Sequence, residues 1–177
     1  MLICKFGNAR EKDVVSAFPN MPNDFLFFLK KYNGGETPES FFSIGGINSD
    51  IVAFYGLGEV KYSFDSVSTI EANGKTYLPI AFDSYGNLIA ISFDDGTIHF
   101  IDHENEMNPL RLADDFKSFL NKVESKSIDP KHLKSIEDRE AELIRRGRGA
   151  IITDALRNLW RQEIEKYSAF HQEVVEV

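Results

Sequence analysis

A chain of 177 residues that is 42% hydrophobic and 27% charged has the balance of one soluble globular domain with its own core, which excludes a disordered chain. A net charge of −8 disfavours direct binding of nucleic acid, and no apolar stretch approaches the ~20 residues that span a bilayer. The single cysteine, Cys4, excludes an internal disulfide and a CxxC zinc pair, so a reducing compartment is expected.

The segment Met1-Leu2-Ile3-Cys4-Lys5-Phe6-Gly7 lacks a basic region followed by an apolar run, so it does not read as a signal peptide and the cytoplasm is the expected location. Residues 13–18 fit a short helix, separated by Pro19 and Pro22 from a longer one. Phe25, Phe28, Leu29 and Tyr32 recur there at helical spacing. Asn23 or Asp24 can cap that helix. Asn33-Gly34-Gly35 stops it, because Asn and Gly tolerate the left-handed conformation that closes a helix.

From residue 39 to residue 102 the pattern changes to short strands. Residues 40–44 and 51–55 are rich in β-formers, and 78–82 follow as a further strand. Residues 60–70 fit either a helix or a strand. The strongest hairpin signal joins 88–93 to 97–102 through Asp94-Asp95-Gly96, with Ile89, Ile91 and Phe93 on one face and Ile98 and Phe100 across from them. It is expected at the centre of an antiparallel sheet. Residues 112–123 carry Leu112, Phe116, Phe119, Leu120 and Val123 on one helical stripe.

The polar stretch 125–130 ends in Asp-Pro and reads as a joint, giving two expected domains, 1–125 and a helical extension over 126–177. The extension carries two helical runs, 131–146 and 154–170, broken by Gly147-Arg148-Gly149, with Thr153 as a cap for the second and Trp160 expected in its buried stripe. Their apolar stripes need a partner, and pairing with a second copy of the chain is one option. With 15 Phe and 6 Tyr mostly in the first two thirds, the principal core belongs there.

Residues that would carry catalysis are missing. No G-x-S-x-G elbow, phosphate loop or dinucleotide fingerprint occurs, and the glycine pairs suit turns. His99, Asp102, His103 and Glu104 bring imidazole and carboxylate together, but residues three apart on a strand point to opposite faces, so His99 and Asp102 diverge and no metal is expected. Asp94-Asp95 is explained by its turn. The chain is expected to be no enzyme and to need no cofactor.

Four stretches, in order, resemble the SMI1/KNR4 family of the SUKH superfamily. They are Met21-Pro22-Asn23-Asp24-Phe25 through Asn33-Gly34-Gly35; Phe54-Tyr55-Gly56-Leu57; Leu78-Pro79-Ile80-Ala81-Phe82-Asp83-Ser84-Tyr85-Gly86-Asn87-Leu88-Ile89 with its continuation to Asp102-His103-Glu104; and Leu112-Ala113-Asp114-Asp115-Phe116 to Leu120. The resemblance covers about 22–123 and leaves out everything after Lys126. It implies an α+β fold with a central antiparallel sheet flanked by helices. It also implies a binding role, since bacterial members are mostly immunity proteins that neutralise polymorphic or contact-dependent toxins, often nucleases. A regulatory protein-binding scaffold is the alternative within the same family.

Charge gives modest physical support. Residues 1–125 hold ten Lys/Arg against eighteen Asp/Glu, while 126–177 hold ten of each, so the whole acidic excess lies on the segment that carries the resemblance and would steer a basic toxin inward. The first candidate surface is Asp83, Ser84, Tyr85 and Asn87, where an acid, an aromatic and an amide join two strands. Asp102, His103 and Glu104 extend the same rim, and Tyr55 and Glu59 are further candidates. Asp83 and Asn87 also suit plain turn roles, and Tyr85 a place in the core.

Overall fold

The structure, a computed structural model, describes residues 1–105 and 108–177. A strand β1 (Leu2–Lys5) and a helix α1 (Glu11–Ala17) precede the expected long helix, α2 (Asn23–Tyr32), whose Phe25, Phe28, Leu29 and Tyr32 are all buried. Asn33 takes the left-handed conformation at φ 49° and closes α2, as its side-chain chemistry allows. Neither Asn23 nor Asp24 caps the helix, which starts on Pro22. The Asp24 carboxylate instead accepts the adjacent Phe25 amide at 2.9 Å and the distant Lys117 amide at 2.9 Å.

The strands then follow: β2 (Gly35–Glu36), β3 (Ser40–Ile44), β4 (Ile47–Asp50), β5 (Ala53–Phe54), β6 (Ile70–Ala72), β7 (Lys75–Phe82), β8 (Leu88–Ser92), β9 (Ile98–Ile101) and β10 (Pro109–Ala113). A helix α3 (Phe116–Leu120) and a strand β11 (Val123–Ser125) complete this region. All strand pairings are antiparallel, in the order β10-β9-β8-β7-β5-β2-β1-β12, where β12 is Glu173–Val174; β6 pairs beside β7, and β11-β3-β4 form a second sheet. The fold is α+β, a central antiparallel sheet flanked by helices.

The hairpin of β8 and β9 forms as alternation predicts, with Ile89 opposite Phe100 and Ile91 opposite Ile98, but it lies second and third from the β10 edge rather than at the expected centre of the sheet. Three other expectations change. The strand expected over 51–55 shrinks to the two residues of β5, and Ile47–Asp50 forms its own strand as the return arm of β3. Residues 60–70 form neither a full helix nor a full strand, since one short 3₁₀ turn at Phe64–Ser66 precedes β6.

The single helix expected over 112–123 is strand, helix and strand in succession. Leu112 and Ala113 are both buried because the β10–β9 register shifts there, which defeats simple alternation. Asp115 then starts α3 by accepting the Ser118 amide at 2.6 Å.

The core lies between the main sheet and α2 and α3. Phe116 meets Phe25 at 5.3 Å and Phe28 at 5.1 Å, Phe28 meets Phe54 at 5.2 Å, and Phe42 of β3 reaches Phe119 at 5.6 Å. Edge-to-face rings add to the burial energy of such a cluster. The other face of the sheet buries Tyr77, Ala90 and Ile101.

Two resembling stretches interlock here. Gly34 at φ 75° passes so close to β5 that an added Cβ would lie 2.6 Å from the carbonyl oxygens of Phe54 and Tyr55, and a Cβ on Gly56 would lie 2.1 Å from the Asn33 carbonyl. Asn33 fastens the same junction, donating from Nδ2 to Leu57 O at 3.1 Å and accepting the Leu57 amide at Oδ1 at 2.8 Å.

Residues 1–126 and 172–177 make one compact unit, and residues 127–171 a second. The expected boundary therefore needs one correction: the end of the chain returns to the sheet. Val174 and Glu173 pair with Leu2 and Ile3, the Glu176 amide donates to Tyr32 Oη at 2.9 Å, and Val175 and Val177 pack against the core. Gln172 Nε2 donates to Lys126 O at 3.3 Å, so the chain leaves and re-enters the sheet unit at neighbouring points. The helical unit is an insertion between them.

Within the helical unit, a 3₁₀ turn at Pro130–Leu133 leads to α4 (Ile136–Arg145), a second turn at Gly149–Ile151, and α5 (Asp154–Ser168). The run expected over 131–146 is thus divided, with Ser135 capping α4 through the Asp138 amide. Thr153 caps α5 as expected, accepting the Leu156 amide at 3.2 Å. Trp160 is half-buried rather than buried, and Arg139 lies over its ring at 5.8 Å. Arg139 also pairs with Glu163 at 2.6 Å and donates to the carbonyls of Lys131, His132 and Lys134, while His132 stacks on Tyr167 at 4.4 Å. Arg139, then His132, hold the Glu163 carboxyl below its usual range.

Candidate protein-binding rim

The turn between β7 and β8 is built around one carboxylate. Gly86 takes φ 90°, and Asp83 and Asn87 close the loop through the Asp83 amide and the Asn87 carbonyl at 3.0 Å. Asp83 Oδ1 accepts the amides of Tyr85 at 2.9 Å and Asn87 at 2.8 Å. Its Oδ2 accepts Asn87 Nδ2 at 2.8 Å and Ser49 Oγ at 2.6 Å. Asp83 is only 2% exposed, so its charge is spent on the loop and not offered to a partner. This corrects its expected role as a contact.

Two further segments are clamped onto the same turn. Ser84 donates from its amide and its hydroxyl to Asp50 Oδ1, at 3.1 and 3.0 Å. Asn87 Oδ1 accepts the His103 amide at 3.2 Å and faces His103 Nδ1 at 2.8 Å. An amide oxygen only accepts, so His103 Nδ1–H is the donor. Asp102 Oδ1 accepts the Glu104 amide at 2.9 Å and shapes the end of β9.

Seven of the expected residues therefore converge: Asp83, Ser84, Tyr85, Asn87, Asp102, His103 and Glu104. The exposed ones are Ser84, Tyr85, His103 and Glu104, and Tyr85 is 76% exposed, which removes its alternative place in the core. Ser49 and Asp50 join the cluster without having been expected. Only the pairing of β3 with β4 brings them in, and no local pattern signals that contact.

Tyr55 and Glu59 are not brought onto this rim. The Tyr55 ring packs on Phe82 at 5.4 Å and Phe64 at 5.8 Å, and burial pushes its hydroxyl pKa up. Tyr62 meets Phe82 at 4.9 Å in the same half-buried aromatic group, and Glu59 is exposed on the loop beside it.

Burial bears on the two groups of reactive potential, Cys4 and His99. Cys4 lies within β1, and burial, then the nearby Glu36 charge, push its thiol up to about 11. His99 is 8% exposed and packs edge-on against Tyr77. Thr97 Oγ1 donates to Asp95 Oδ1 at 2.6 Å, so it must accept from His99 Nε2–H at 2.8 Å. Nδ1 is left bare, without a hydrogen-bond partner among the described residues. Among those residues no group of three or more His, Cys, Asp or Glu is placed to hold a metal, and no helix is long and apolar enough to cross a membrane.

The family model described as SMI1 / KNR4 family (SUKH-1) matches residues 20–122, more than half of the chain. The chain belongs to this family. No curated protein and no solved structure matches it. The SMI1/KNR4 match ends at residue 122, so β11, the helical insertion and β12 lie beyond it. Inside the match, the interlocked glycines and the Asp83 turn give physical reasons for three of the four resembling stretches. They are backbone crossings and loop closures.

Proposed function

We propose that this chain is a non-catalytic immunity protein that binds and neutralises a cognate protein toxin of basic surface, such as a nuclease, in the cytoplasm. The observation that carries the reading is the preorganised rim around Asp83, where buried hydrogen bonds fix the backbone and leave Tyr85 and Glu104 projecting. An exposed aromatic on a backbone fixed by hydrogen bonds, in a rim that also carries an exposed carboxylate, suits an interface anchor with little backbone ordering cost. The sheet unit also holds eleven Lys/Arg against twenty Asp/Glu, a net charge of −9 that favours fast capture of a cationic surface. Membership of a family with immunity proteins among its bacterial members supports the same reading.

The test is survival of cells that express toxin candidates encoded beside this gene, with and without the chain, followed by co-purification. Protection and a stable complex are expected. Absence of protection against every neighbouring candidate would overturn the immunity reading in favour of a regulatory scaffold. With a toxin in hand, Tyr85→Ala combined with Glu104→Arg is expected to weaken binding by roughly a hundredfold. Unchanged affinity would place the contact elsewhere.

A further inference from the structure

We propose that the helical insertion is a homodimerisation device, in which α4 packs antiparallel against α4 of a second copy about a two-fold axis through Ala141. Each residue turns a helix by about 100°. On that wheel Glu137, Asp138, Ala141, Ile144 and Arg145 fall on one face, and all five are exposed. Ile136, Arg139, Glu140, Glu142 and Leu143, on the opposite side, are partly covered. Ile144 is an aliphatic side chain left 62% exposed.

The face is complementary to itself. Glu137 lies four residues before Ala141 and Arg145 four residues after it, about 6 Å either way along the axis. An antiparallel copy centred on Ala141 therefore sets Glu137 opposite the other copy's Arg145, and the same pair recurs by symmetry. Asp138 and Ile144 stand in the same relation, three residues to either side. Neither Glu137 nor Arg145 makes an ion pair within 4 Å among the described residues, whereas Glu142 beside them pairs with both Lys134 and Arg146 and feels Arg145 only at longer range.

Shape agrees with charge. A surface depression of about 390 Å³ runs along the edge of this face, lined by Asp138, Ala141 and Arg145 from it and by Lys134 and Glu142 beside it. The small Ala141 leaves room for an Ile144 side chain from across the axis. The helical unit as a whole has no buried residue and exposes Leu133, Ile151 and Leu159 as well, so it has apolar surface to gain from association. With nine Lys/Arg and eight Asp/Glu it presents no single-sign field to a foreign partner, which favours a second copy.

The full chain is tested by sedimentation velocity between about 1 and 100 µM, a range in which a small interface associates. Concentration-dependent dimerisation is expected, and a wild-type chain that stays monomeric at the top of the range overturns the proposal. Arg145→Glu and Glu137→Arg are each expected to raise the dimer dissociation constant by roughly tenfold or more, because each change sets like charges opposite one another twice. The double reversal Glu137→Arg/Arg145→Glu restores opposite charge across the axis and is expected to return to within about threefold of wild type. A dimer indifferent to the single reversals, or unrescued by the double one, would overturn the proposal. Unchanged circular dichroism confirms that the variants fold. Toxin neutralisation is read separately, so failure here leaves the function proposed above untouched.

Discussion

The two units of this protein are stabilised in opposite ways. The sheet unit hides a contiguous aromatic core and uses its buried polar groups, Asp83 above all, to fix backbone. The helical unit has no buried residue and is cross-linked by charge, through Arg139–Glu163 at 2.6 Å and Arg157–Glu140 at 2.6 Å. Burial supplies most of the free energy of folding, while exposed ion pairs supply little each and are screened by salt. A region of the first kind is a scaffold. One of the second kind, with aliphatic side chains left in water, has surface available for association.

If burial carries the sheet unit, a single change in its aromatic core should do the most damage. Phe116 is fully buried and meets the rings of Phe25, Phe28 and Phe54. Phe116→Ala is expected to cost about 3–5 kcal/mol, read as a drop in the urea midpoint with little change in slope. A loss below about 1 kcal/mol would mean that this cluster is not the mainstay of the sheet unit.

Next in size is the carboxylate under the rim. Asp83→Ala leaves the amides of Tyr85 and Asn87 and the Ser49 hydroxyl without their acceptor. It is expected to cost about 2–4 kcal/mol in stability. Glu104→Arg, on an exposed side chain, is expected to change stability by no more than about 0.5 kcal/mol while still altering binding. Equal stability losses for the two would erase the distinction between the fixed base of the rim and its contact surface.

These residues also show what was legible from sequence. α2 was readable because Phe25, Phe28, Leu29 and Tyr32 repeat one helical face without competition, and β8–β9 because alternation and Asp-Gly agree. Residues 112–123 misled because Leu112, Phe116 and Phe119 fit a helical stripe, and the signal that divides them is a register shift against β9, a non-local fact. β12 was invisible for the same reason, since two residues paired with β1 carry no periodicity of their own. At the rim, the loop 83–87 was readable as a turn, but the burial of Asp83 depends on Ser49, 34 residues away. Tyr55 was a further candidate, and its ring packs against Phe82 and Phe64, contacts that no local pattern signals.

In the helical unit a smaller effect is expected. Arg139→Ala removes the ion pair to Glu163, three donations to backbone carbonyls and the contact over Trp160. The cost should be about 1–2 kcal/mol. Trp160 is the only tryptophan, so its fluorescence reports on this unit, and the variant should shift its emission at lower denaturant than wild type. High salt should weaken the wild-type unit in the same direction, whereas a core of the first kind would be indifferent. No change in the Trp160 transition would mean that the ion pairs are incidental.

The smallest effect lies in the sheet unit, at the one buried imidazole. Burial lowers the His99 pKa below its ordinary 6.5, with Lys75 and Arg111 acting in the same direction and Asp95 against it. The unfolded chain therefore takes up a proton as pH falls below about 6.5, while the folded chain refuses it. Stability that is fully present above that pH is lost as pH falls through the folded-state value of His99. Asp95, held well below the usual carboxylate range by Lys75 and then Thr97, begins to lose its contribution only at more acidic pH than the onset for His99. His99→Phe keeps the ring contact with Tyr77 and removes the titration. It is expected to flatten the stability profile just below pH 6.5 and leave the acid limb in place. A slope in that window that survives the substitution would assign it to another group, and the bare Nδ1 of His99 would then be no source of acid sensitivity.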